Sequence, residues 1–309
     1  MEIEQELASA TPQGKTLLAI GVFDGVHAGH RCLLTQLRQQ AAAANLLSGV
    51  VTFSPHPQSV LHPARELPWL SDLDDRVTVL QQLGLDTVVV LTFTAKLAQL
   101  SARDFMSLIK KYLKMQGVMV GPDFVLGRGG EGDISLLRTL GDEMGFTVHV
   151  IPPFTIEGEV VSSTLIRQAL ARGDMGRVAK LMGRHFYLKG KVITSDKRGR
   201  LLGFPTANLD IRPEQALPDN GIYATITQVN GEHLPSATNI GTRPTFGEGE
   251  RMVETHLLNY KGDLYGKQIT VQFVRKVRDE RRFSSADALI MQMERDVQEV
   301  DAILAKDPK

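Results

Sequence analysis

The residues from Gly21 to His30 read G-V-F-D-G-V-H-A-G-H, and they decide the fold of the first half of the chain. An apolar run, Thr16–Ile20, precedes them, and an amphipathic run, His30–Leu46, follows them. This order predicts a β-strand, a tight glycine-rich turn and an α-helix. Because the glycines of the turn carry no Cβ, backbone amides can approach a ligand closely there.

The same turn predicts a phosphate site. A helix that begins near Gly29 presents unpaired N–H groups and the positive end of its dipole. His27 and His30 are three residues apart, so their imidazoles share one face of the first turn. Both can donate hydrogen bonds to a phosphate during transfer, and a nearby phosphate favours the charged imidazolium. Two alternatives stay open: a zinc site, although no fourth ligand stands at metal spacing, and two ordinary surface histidines.

These residues resemble the H-x-G-H signature of the nucleotidylyltransferase superfamily. The form F-D-G-V-H is similar to that of the bacterial bifunctional riboflavin kinase/FMN adenylyltransferases, also called FAD synthetases. H-x-G-H alone implies only adenylyl transfer, so the family assignment depends on the rest of the chain. The resemblance implies that His27 and His30 are catalytic. It also implies ATP contacts in the adenylyltransferase site from four neighbours: Gly21, Phe23, Asp24 and Gly29.

The composition limits the class of protein. The chain has 309 residues, enough for two domains, and 42% of them are hydrophobic. Lys plus Arg and Asp plus Glu both number 35, so the formal net charge is zero and no basic nucleic-acid surface is predicted. The single cysteine, Cys32, excludes an internal disulfide framework and is typical of a reducing compartment.

No targeting or membrane segment is predicted. The first ten residues are acidic and lack an apolar signal core, and apolar stretches such as Thr87–Phe93 are too short to span a bilayer. We therefore expect a cytoplasmic protein, a monomer or a weak homo-oligomer, with neither nucleic acid nor membrane as a partner.

Residues 1–184 alternate short apolar runs with amphipathic runs. The alternation predicts an α/β fold, a Rossmann-like doubly wound domain whose ligands bind beyond the carboxyl ends of the strands. The apolar runs, rich in Val and Ile, predict strands buried on both faces: Thr16–Phe23, Gly49–Phe53, Thr87–Phe93, Gly117–Gly121 and Thr147–Ile151. The amphipathic runs predict helices: His30–Leu46, Asp72–Leu83, Ser101–Met115, Ile134–Gly145 and Ser163–Gly173.

The pattern changes after Gly183. From Phe186 to about Arg278 the runs are short, have a period of two and are separated by turn residues such as Asn230-Gly231. This predicts an antiparallel β-barrel over residues 185–309, with a C-terminal helix at Ser284–Leu304.

Two motifs of the first domain follow predicted strands. Thr52–Pro57 reads T-F-S-P-H-P, which by itself is only a strand exit fixed by two prolines. It resembles the T-F-x-P-H-P of FAD synthetases, which implies flavin contacts from Phe53, Pro55 and His56. Val120–Gly132 matches G-x-G-x-x-G without opening a helix, so it predicts a mobile glycine-rich flap rather than a dinucleotide site. Its resemblance to the family implies a flavin contact from Asp123.

Val161–Arg167, V-S-S-T-L-I-R, opens a predicted helix. A capped helix start with one Arg is either a second phosphate cradle or an ordinary cap with a solvated Arg. The stretch resembles the family's I-S-S-T-x-I-R, which implies ATP contacts from Ser163, Thr164 and Arg167.

In the second domain, Arg198–Asn208 reads R-G-R-L-L-G-F-P-T-A-N. Thr206 and Asn208 share one face of an extended chain and offer neutral oxygens to a hard cation such as Mg²⁺. The alternative is a barrel strand broken by proline with two polar surface residues. G-F-P-T-A-N resembles the riboflavin kinase signature, which implies that Thr206 and Asn208 hold Mg²⁺. It implies ATP contacts from the same two residues and from three neighbours: Gly199, Gly203 and Pro205.

Two further stretches carry the resemblance. Val253–Leu258 reads V-E-T-H-L-L, whose alternation places Glu254 and His256 on one face. Glu254 matches the glutamate that is the base in riboflavin kinases, although a strand-exposed Glu without a role has the same pattern. Arg278–Phe283, R-D-E-R-R-F, resembles the stretch that closes over the flavin, which implies contacts from Arg278, Glu280 and Phe283.

The resemblance runs from about Thr16 to about Val297 and implies a bifunctional enzyme. Riboflavin is phosphorylated by ATP to FMN, and FMN is adenylylated by a second ATP to FAD and pyrophosphate, with Mg²⁺ as cofactor. Two alternatives remain. One is another nucleotidylyltransferase with a regulatory barrel, and the other is a non-catalytic flavin-binding module.

Overall fold

A computed structural model describes residues 3–64, 67–194, 203–242 and 251–306 of the chain. The chain folds into two compact units, Met1–Ser163 and Thr164–Lys309. The predicted domain boundary, between residues 184 and 185, lies further along the chain, after two helices.

The first unit is built on a five-stranded parallel sheet in the order β3-β2-β1-β4-β5, as the alternation predicts. Because β1 is central and β4 lies on its far side, the strand order reverses between them, where open α/β sheets bind ligands. The strands are β1 (Thr16–Ile20), β2 (Leu47–Ser54), β3 (Thr87–Thr92), β4 (Met115–Val120) and β5 (Thr147–Val150).

Helices cover both faces of this sheet. Along β1, Leu18 and Ile20 join one buried apolar cluster, and Leu17 and Ala19 join the other. This alternation explains why the strand is apolar throughout. The helices are α1 (Ile3–Ser9), α2 (Ala28–Ala43), α3 (Pro57–Leu61), α4 (Leu73–Gln82), α5 (Ala95–Ala98), α6 (Ala102–Leu113) and α7 (Ile134–Met144). A small hairpin follows, β6 (Thr155–Ile156) and β7 (Glu159–Val160).

Local sequence signals explain most element ends. Ser101 caps the start of α6, because its Oγ donates to Asp104 Oδ2 at 2.6 Å and accepts from Asp104 N at 3.1 Å. The first strand ends at Ile20, before the predicted Phe23. Phe23 has a left-handed backbone with φ 54°, which is incompatible with an extended strand.

The second unit is a closed antiparallel barrel in the order β10-β11-β12-β9-β8-β13, which confirms the predicted architecture. Asn230 and Gly231 join β10 to β11 with positive φ values of 50° and 89°, as a two-residue hairpin turn requires. The strands are β8 (Phe186–Ile193), β9 (Ala207–Asp210), β10 (Gly221–Val229), β11 (Glu232–Thr242), β12 (Arg251–Leu257) and β13 (Gln268–Arg278). The helices are α8 (Ser163–Leu170), α9 (Met175–Met182) and α10 (Ala286–Leu304).

One side of the barrel interior is polar. The hydroxyls of Thr225, Ser236 and Thr238 are fully buried and bond to one another, with Thr225 Oγ1 2.8 Å from Ser236 Oγ and 2.7 Å from Thr238 Oγ1. Thr238 Oγ1 donates to Thr255 Oγ1 at 2.9 Å. These mutual hydrogen bonds offset the cost of burying hydroxyls. They also fix which residues of each strand point inward.

Candidate active sites

The first candidate site lies at the carboxyl end of β1. His27 is the N-cap of α2, and its Nδ1 accepts a hydrogen bond from His30 N at 3.3 Å. This bond puts the proton of a neutral His27 ring on Nε2. The two imidazoles are stacked, with centroids 3.6 Å apart and 16° between their planes. The prediction that both rings share one face of the first turn is confirmed.

Burial keeps His30 neutral in the protein without ligand. Desolvation, followed by the charges of His27 and Arg76, holds the pKa of His30 well below 6.5. His30 Nδ1 is buried and has no hydrogen-bond partner among the residues that the structure describes. The charged imidazolium predicted beside a phosphate therefore requires the phosphate to be present.

The loop before α2 has a strained backbone. Phe23 and Val26 have φ values of 54° and 39°, which non-glycine residues rarely adopt. Phe23 is buried and packs edge-to-face on His30, with ring centroids 5.1 Å apart. Strain of this kind persists only where the surroundings enforce it, and it concentrates at functional sites.

Asp24 supplies part of that enforcement. Its carboxylate is 4% exposed and accepts hydrogen bonds from Leu70 N at 3.0 Å and from Ser71 N at 3.2 Å. Ser71 Oγ in turn accepts from Gly25 N at 3.0 Å. The ATP contact predicted for Asp24 stays a prediction, and the structure gives this side chain a bracing position.

The glycines of the loop make room for protein atoms. Gly25 has φ 75°, and a Cβ there would lie 2.9 Å from Leu70 Cβ. A Cβ on Gly29 would lie 3.3 Å from the His27 ring. Around Gly21 the nearest side chain is Phe23, 3.2 Å from the position of a Cβ. The close approach of a ligand to Gly21 and Gly29 stays a prediction.

The V-S-S-T-L-I-R stretch contributes Ser163 to this region. Ser163 is the last residue of the first unit, and its Oγ donates to Asp24 O of the histidine loop at 3.1 Å. Thr164 is exposed and Arg167 is half-buried, and both belong to the second compact unit. Their ATP contacts stay predictions.

The predicted flavin residues follow β2 and β4. Phe53 packs edge-to-face on Phe93, with centroids 5.7 Å apart. His56 is the N-cap of α3, where its Nδ1 accepts from Gln58 N at 3.1 Å, and Pro55 beside it is exposed. Asp123 is exposed in the turn after β4. The structure places these residues at the carboxyl ends of their strands, and their flavin contacts stay predictions.

The glycine-rich stretch 121–132 is a closed loop. Leu126 N donates to Gly132 O at 3.1 Å, and Gly132 N donates back to Leu126 O at 2.8 Å. Arg128 N donates to Leu100 O at 2.8 Å, and Glu131 Oε1 accepts from Ala102 N at 2.8 Å. These bonds hold the loop against the start of α6. The mobility predicted for this loop stays a prediction.

Arg76 of α4 reaches the same end of the sheet, and sequence reasoning missed it. The residue is 6% exposed, and burial lowers the pKa of its guanidinium. Arg76 and Leu80 are the buried residues of α4, so Arg76 occupies a position of its apolar stripe. A cation at an apolar position of a helix is the sequence signal that could have found it.

The second candidate site is a row of polar side chains on neighbouring barrel strands. In register, Glu254 of β12 lies opposite Asn208 of β9 on one side and Asn239 of β11 on the other. Residues directly opposite in an antiparallel pair point to the same face, about 5 Å apart. Val253 and Thr255 are buried in the barrel, so the predicted alternation of β12 is confirmed and the row faces outward.

A cavity of about 380 Å³ opens where the chain enters β9. Thr206, two residues before Asn208, lies in its wall with Val192 and Leu257, and Tyr260 and Lys261 line it from the next loop. Its volume suits a small-molecule ligand. The two loop residues carry no motif, so sequence reasoning missed them.

His256 fixes the chain that enters the cavity. Its Nδ1 lies 2.8 Å from Pro205 O, and its ring packs edge-to-face on Phe204 with centroids 5.5 Å apart. Sequence reasoning gave His256 no role, and the structure makes it the support for the residues before Thr206. Gly203 is exposed with φ 87°, and the predicted ATP residue Gly199 lies outside the described residues.

The three residues predicted to contact flavin in the kinase lie at the end of β13. Arg278 forms a two-pronged ion pair with the buried Asp296 of α10, through Nε at 2.9 Å and Nη2 at 2.7 Å. The guanidinium carbon also lies 5.7 Å from the Phe283 ring centroid. Glu280 accepts from Asn220 Nδ2 at 3.3 Å. The structure assigns these groups protein contacts, and their flavin contacts stay predictions.

Comparison with known proteins identifies the family. A family of FAD synthetases matches residues 9–165, and a family of riboflavin kinases matches residues 182–304. The bifunctional riboflavin kinase/FMN adenylyltransferase of Escherichia coli K12 is 40% identical over 290 residues, which cover 93% of this chain and 92% of that protein. The chain belongs to the bifunctional riboflavin kinase/FMN adenylyltransferases.

Other relatives agree in length and fold. The Bacillus subtilis member of the family is 35% identical over 295 residues, covering 93% of this chain and 92% of that protein. A crystal structure described as a macrolide-efflux protein from Streptococcus pneumoniae superposes with a TM-score of 0.89 and 26% identity over 97% of both chains.

Within the described residues, no helix is long and apolar enough to cross a membrane.

These findings confirm the predicted family, fold class and enzyme class. The chain is a bifunctional transferase of the family that phosphorylates riboflavin and adenylylates FMN. Because both family matches are present in one chain, they favour this function over the two alternatives, a regulatory barrel and a non-catalytic flavin module.

Proposed function

We propose that residues 1–184 adenylylate FMN and that residues 185–309 phosphorylate riboflavin. The observation that carries the proposal is that the stacked pair His27–His30 and the row around Glu254 lie in different compact units. The order of the two family matches supports the same division.

In the adenylyltransferase, the phosphate of FMN attacks the α-phosphorus of ATP, and pyrophosphate leaves. The attacking phosphate is already an anion, so no strong base is needed. His27 and His30 donate hydrogen bonds to the phosphate groups as their charge shifts, and the first turn of α2 adds its dipole. The braced backbone around Phe23 holds these donors in position before the substrate arrives.

In the kinase, the ribityl hydroxyl of riboflavin attacks the γ-phosphorus of ATP, and ADP leaves. Glu254 accepts the hydroxyl proton as the new O–P bond forms. Asn208 and Asn239 flank Glu254 in the cross-strand row, and the alternation of β12 directs Glu254 to the outer face of the barrel. The cavity beside Thr206 receives the ATP.

The residues around Thr206 fit a magnesium ion. Thr206 offers a hydroxyl in the wall of the cavity, and Asn208, two residues further along and only 6% exposed, offers an amide oxygen. Mg²⁺ takes few protein oxygens and completes its shell with water and phosphate oxygens, so two neutral ligands suffice. When bound, it neutralises charge on the transferring phosphate.

We further propose a cytoplasmic enzyme, which is a monomer or a weak homo-oligomer and takes riboflavin, FMN and ATP as its small-molecule partners. The single cysteine and the zero net charge support this proposal. Light scattering of the purified chain at two concentrations tests the oligomeric state.

The experiment that tests the division of activities is chromatography of flavins after incubation with ATP and Mg²⁺. From riboflavin, the full chain gives FMN and then FAD, with ADP and pyrophosphate as the other products. A fragment of residues 185–309 gives FMN from riboflavin and no FAD. A folded fragment without kinase activity contradicts either the boundary or the role of Glu254.

A further inference from the structure

The guanidinium of Arg76 bridges two strands where their backbone ladder has ended. The β1–β2 register ends at Ile20 with Val51, after which β1 gives way to the histidine loop. Beyond that point, Arg76 Nη1 donates to Val22 O at 2.8 Å and Nη2 donates to Phe53 O at 3.1 Å. One planar group therefore joins the exits of both strands.

Each of these carbonyls lies next to a predicted substrate loop. Val22 O belongs to the peptide that leads into Phe23, whose ring packs on His30. Phe53 O belongs to the peptide that leads into Ser54 and then the proline loop. Thr52 Oγ1 of β2 also donates to Val22 O, at 2.9 Å, whereas Arg76 binds both Val22 O and Phe53 O. The guanidinium and this hydroxyl together fix the start of the histidine loop relative to the start of the flavin loop.

The buried cation is only partly compensated. Arg76 Nε is buried and has no hydrogen-bond partner within the described part of the chain. Asp24 and Asp72 act on it from nearby, yet burial still lowers the pKa of Arg76. A buried charge of this kind is costly for stability. A neutral side chain of the same length would avoid that cost. Stability alone therefore does not explain an arginine at this position, and we look for a functional role of its charge and its forked donors.

We propose that Arg76 is a positioning residue for adenylyl transfer, which holds the histidine loop and the flavin loop in register and keeps a positive charge beside His30. This inference rests on the proposed adenylyltransferase role of the first unit. Reacting groups must be placed to within about an ångström for transfer, and misplacement of that size costs about a hundredfold in rate.

The charge component has its own signature. His30 is faced by His27 from the N-cap of α2 and by Arg76 from α4, and a positive charge on either neighbour disfavours protonation of His30. Asp24 and Asp72 face Arg76. Burial is the largest cause of the low pKa of His30 and remains in an Arg76 variant. Removing the charge of Arg76 therefore shifts the pKa of His30 upward without restoring its ordinary value, and loss of a neutral packing residue would not produce this shift.

The experiment compares Arg76→Met, which keeps the length and removes the charge, with Arg76→Lys, which keeps the charge and removes the fork. Arg38→Met is the matched control, since Arg38 is exposed on α2. FAD formation from FMN gives kcat and KM. Fluorescence of Trp69, the single tryptophan, during urea unfolding is the folding control for the first unit. Riboflavin phosphorylation by the same samples shows that the second unit is intact. Histidine ¹⁵N NMR titration gives the pKa of His30, whose signal is assigned by its loss in His30→Gln.

We expect Arg76→Met to lower kcat for FAD formation about a hundredfold, with a smaller change in KM and an upward shift of the His30 titration. Arg76→Lys keeps the pKa of His30 low but recovers little of kcat, because one ammonium group cannot donate to both carbonyls as the forked guanidinium does. Arg38→Met behaves like the parent.

Two results overturn the inference. One is a kcat within about twofold of the parent in Arg76→Met with an unmoved His30 titration. The other applies if Arg76→Met does not fold: a parent-like kcat in Arg76→Lys then refutes the bridging role. Failure of the proposed function is a separate result, since it would appear as a parent enzyme that makes no FAD from FMN.

Discussion

The two candidate sites are built in opposite ways. The histidine site lies in a loop after a parallel strand, and its geometry depends on left-handed residues, a buried carboxylate and a buried guanidinium. The glutamate site lies on the strands themselves, where register alone brings Asn208, Glu254 and Asn239 together. The first site therefore depends on long-range braces, and the second on the periodicity of the sheet.

This difference has a consequence for substitutions. In the loop site, residues that never touch a substrate set the position of those that do, so distant changes affect activity. In the strand site, the sheet holds each side chain, so the effect of a change is confined to the chemistry of that side chain. Substitutions at the two sites test this contrast.

The largest effect is expected for Glu254→Gln. Gln keeps the shape of Glu but cannot accept the proton of the attacking hydroxyl, and a positioned base contributes about 10²–10⁴-fold. Riboflavin phosphorylation should fall by that factor, measured as FMN formed from riboflavin. ATP binding should change little, because Thr206 and Asn208 are intact.

Conversion of supplied FMN to FAD by the same variant is the control and should proceed at nearly the parent rate. Equal losses in both assays would indicate misfolding or a shared site. No loss in the first assay would remove Glu254 from the mechanism.

His30→Ala is expected to reduce FAD formation about a hundredfold or more. A donor to a transferring phosphate is typically worth on the order of 3 kcal/mol. The measurement is the rate of FAD formation from FMN, and riboflavin phosphorylation should be unchanged. Parent-like FAD output would refute the phosphate contact of His30.

The strand site could largely be predicted from the sequence, for a physical reason. A strand repeats every two residues, so V-E-T-H-L-L shows directly that Glu254 and His256 share a face. The parallel sheet and the barrel were predictable on the same basis, from apolar runs in one half and period-two runs in the other. Asn239 was not identified, because its position opposite Glu254 depends on the pairing of β11 with β12.

The loop site could be predicted only in outline. The sequence indicates a phosphate-binding turn with two histidines, which the structure places in a stacked pair. It does not indicate that Asp24 binds the backbone of Leu70 or that Arg76 reaches Val22, because these contacts join residues about fifty positions apart through an irregular loop. For the same reason the expectation of a charged His30 did not anticipate a buried ring.

A smaller effect is expected for Asn239→Asp. The substitution places a second carboxylate directly opposite Glu254, and like charges at that distance favour the protonated form of the pair. The acid limb of the kinase pH–rate profile should move to higher pH by about one unit, with a modest loss of rate at neutral pH. The matched control is Gln228→Glu, which adds the same charge on a different strand, β10, away from Glu254. An unmoved profile would show that Asn239 does not adjoin Glu254.

The smallest effect concerns the stability of the first unit. His30 has a pKa well below 6.5 in the folded protein, whereas the unfolded chain titrates near 6.5. As pH falls below about 6.5, His30 is protonated in the unfolded state but stays neutral in the folded state. The free energy of unfolding therefore decreases, with a slope of at most about 1.4 kcal/mol per pH unit. His30→Gln cannot bind this proton, so its stability should fall less between neutral pH and about pH 5.

The single tryptophan, Trp69, precedes Leu70, whose N–H donates to Asp24, so its fluorescence during urea unfolding reports on the first unit. His62→Gln serves as a control because His62 is exposed. Equal pH dependence in the parent and in His30→Gln would mean that His30 is protonated in the folded protein. The loop site would then contain no buried, neutral histidine, and this difference from the strand site would disappear.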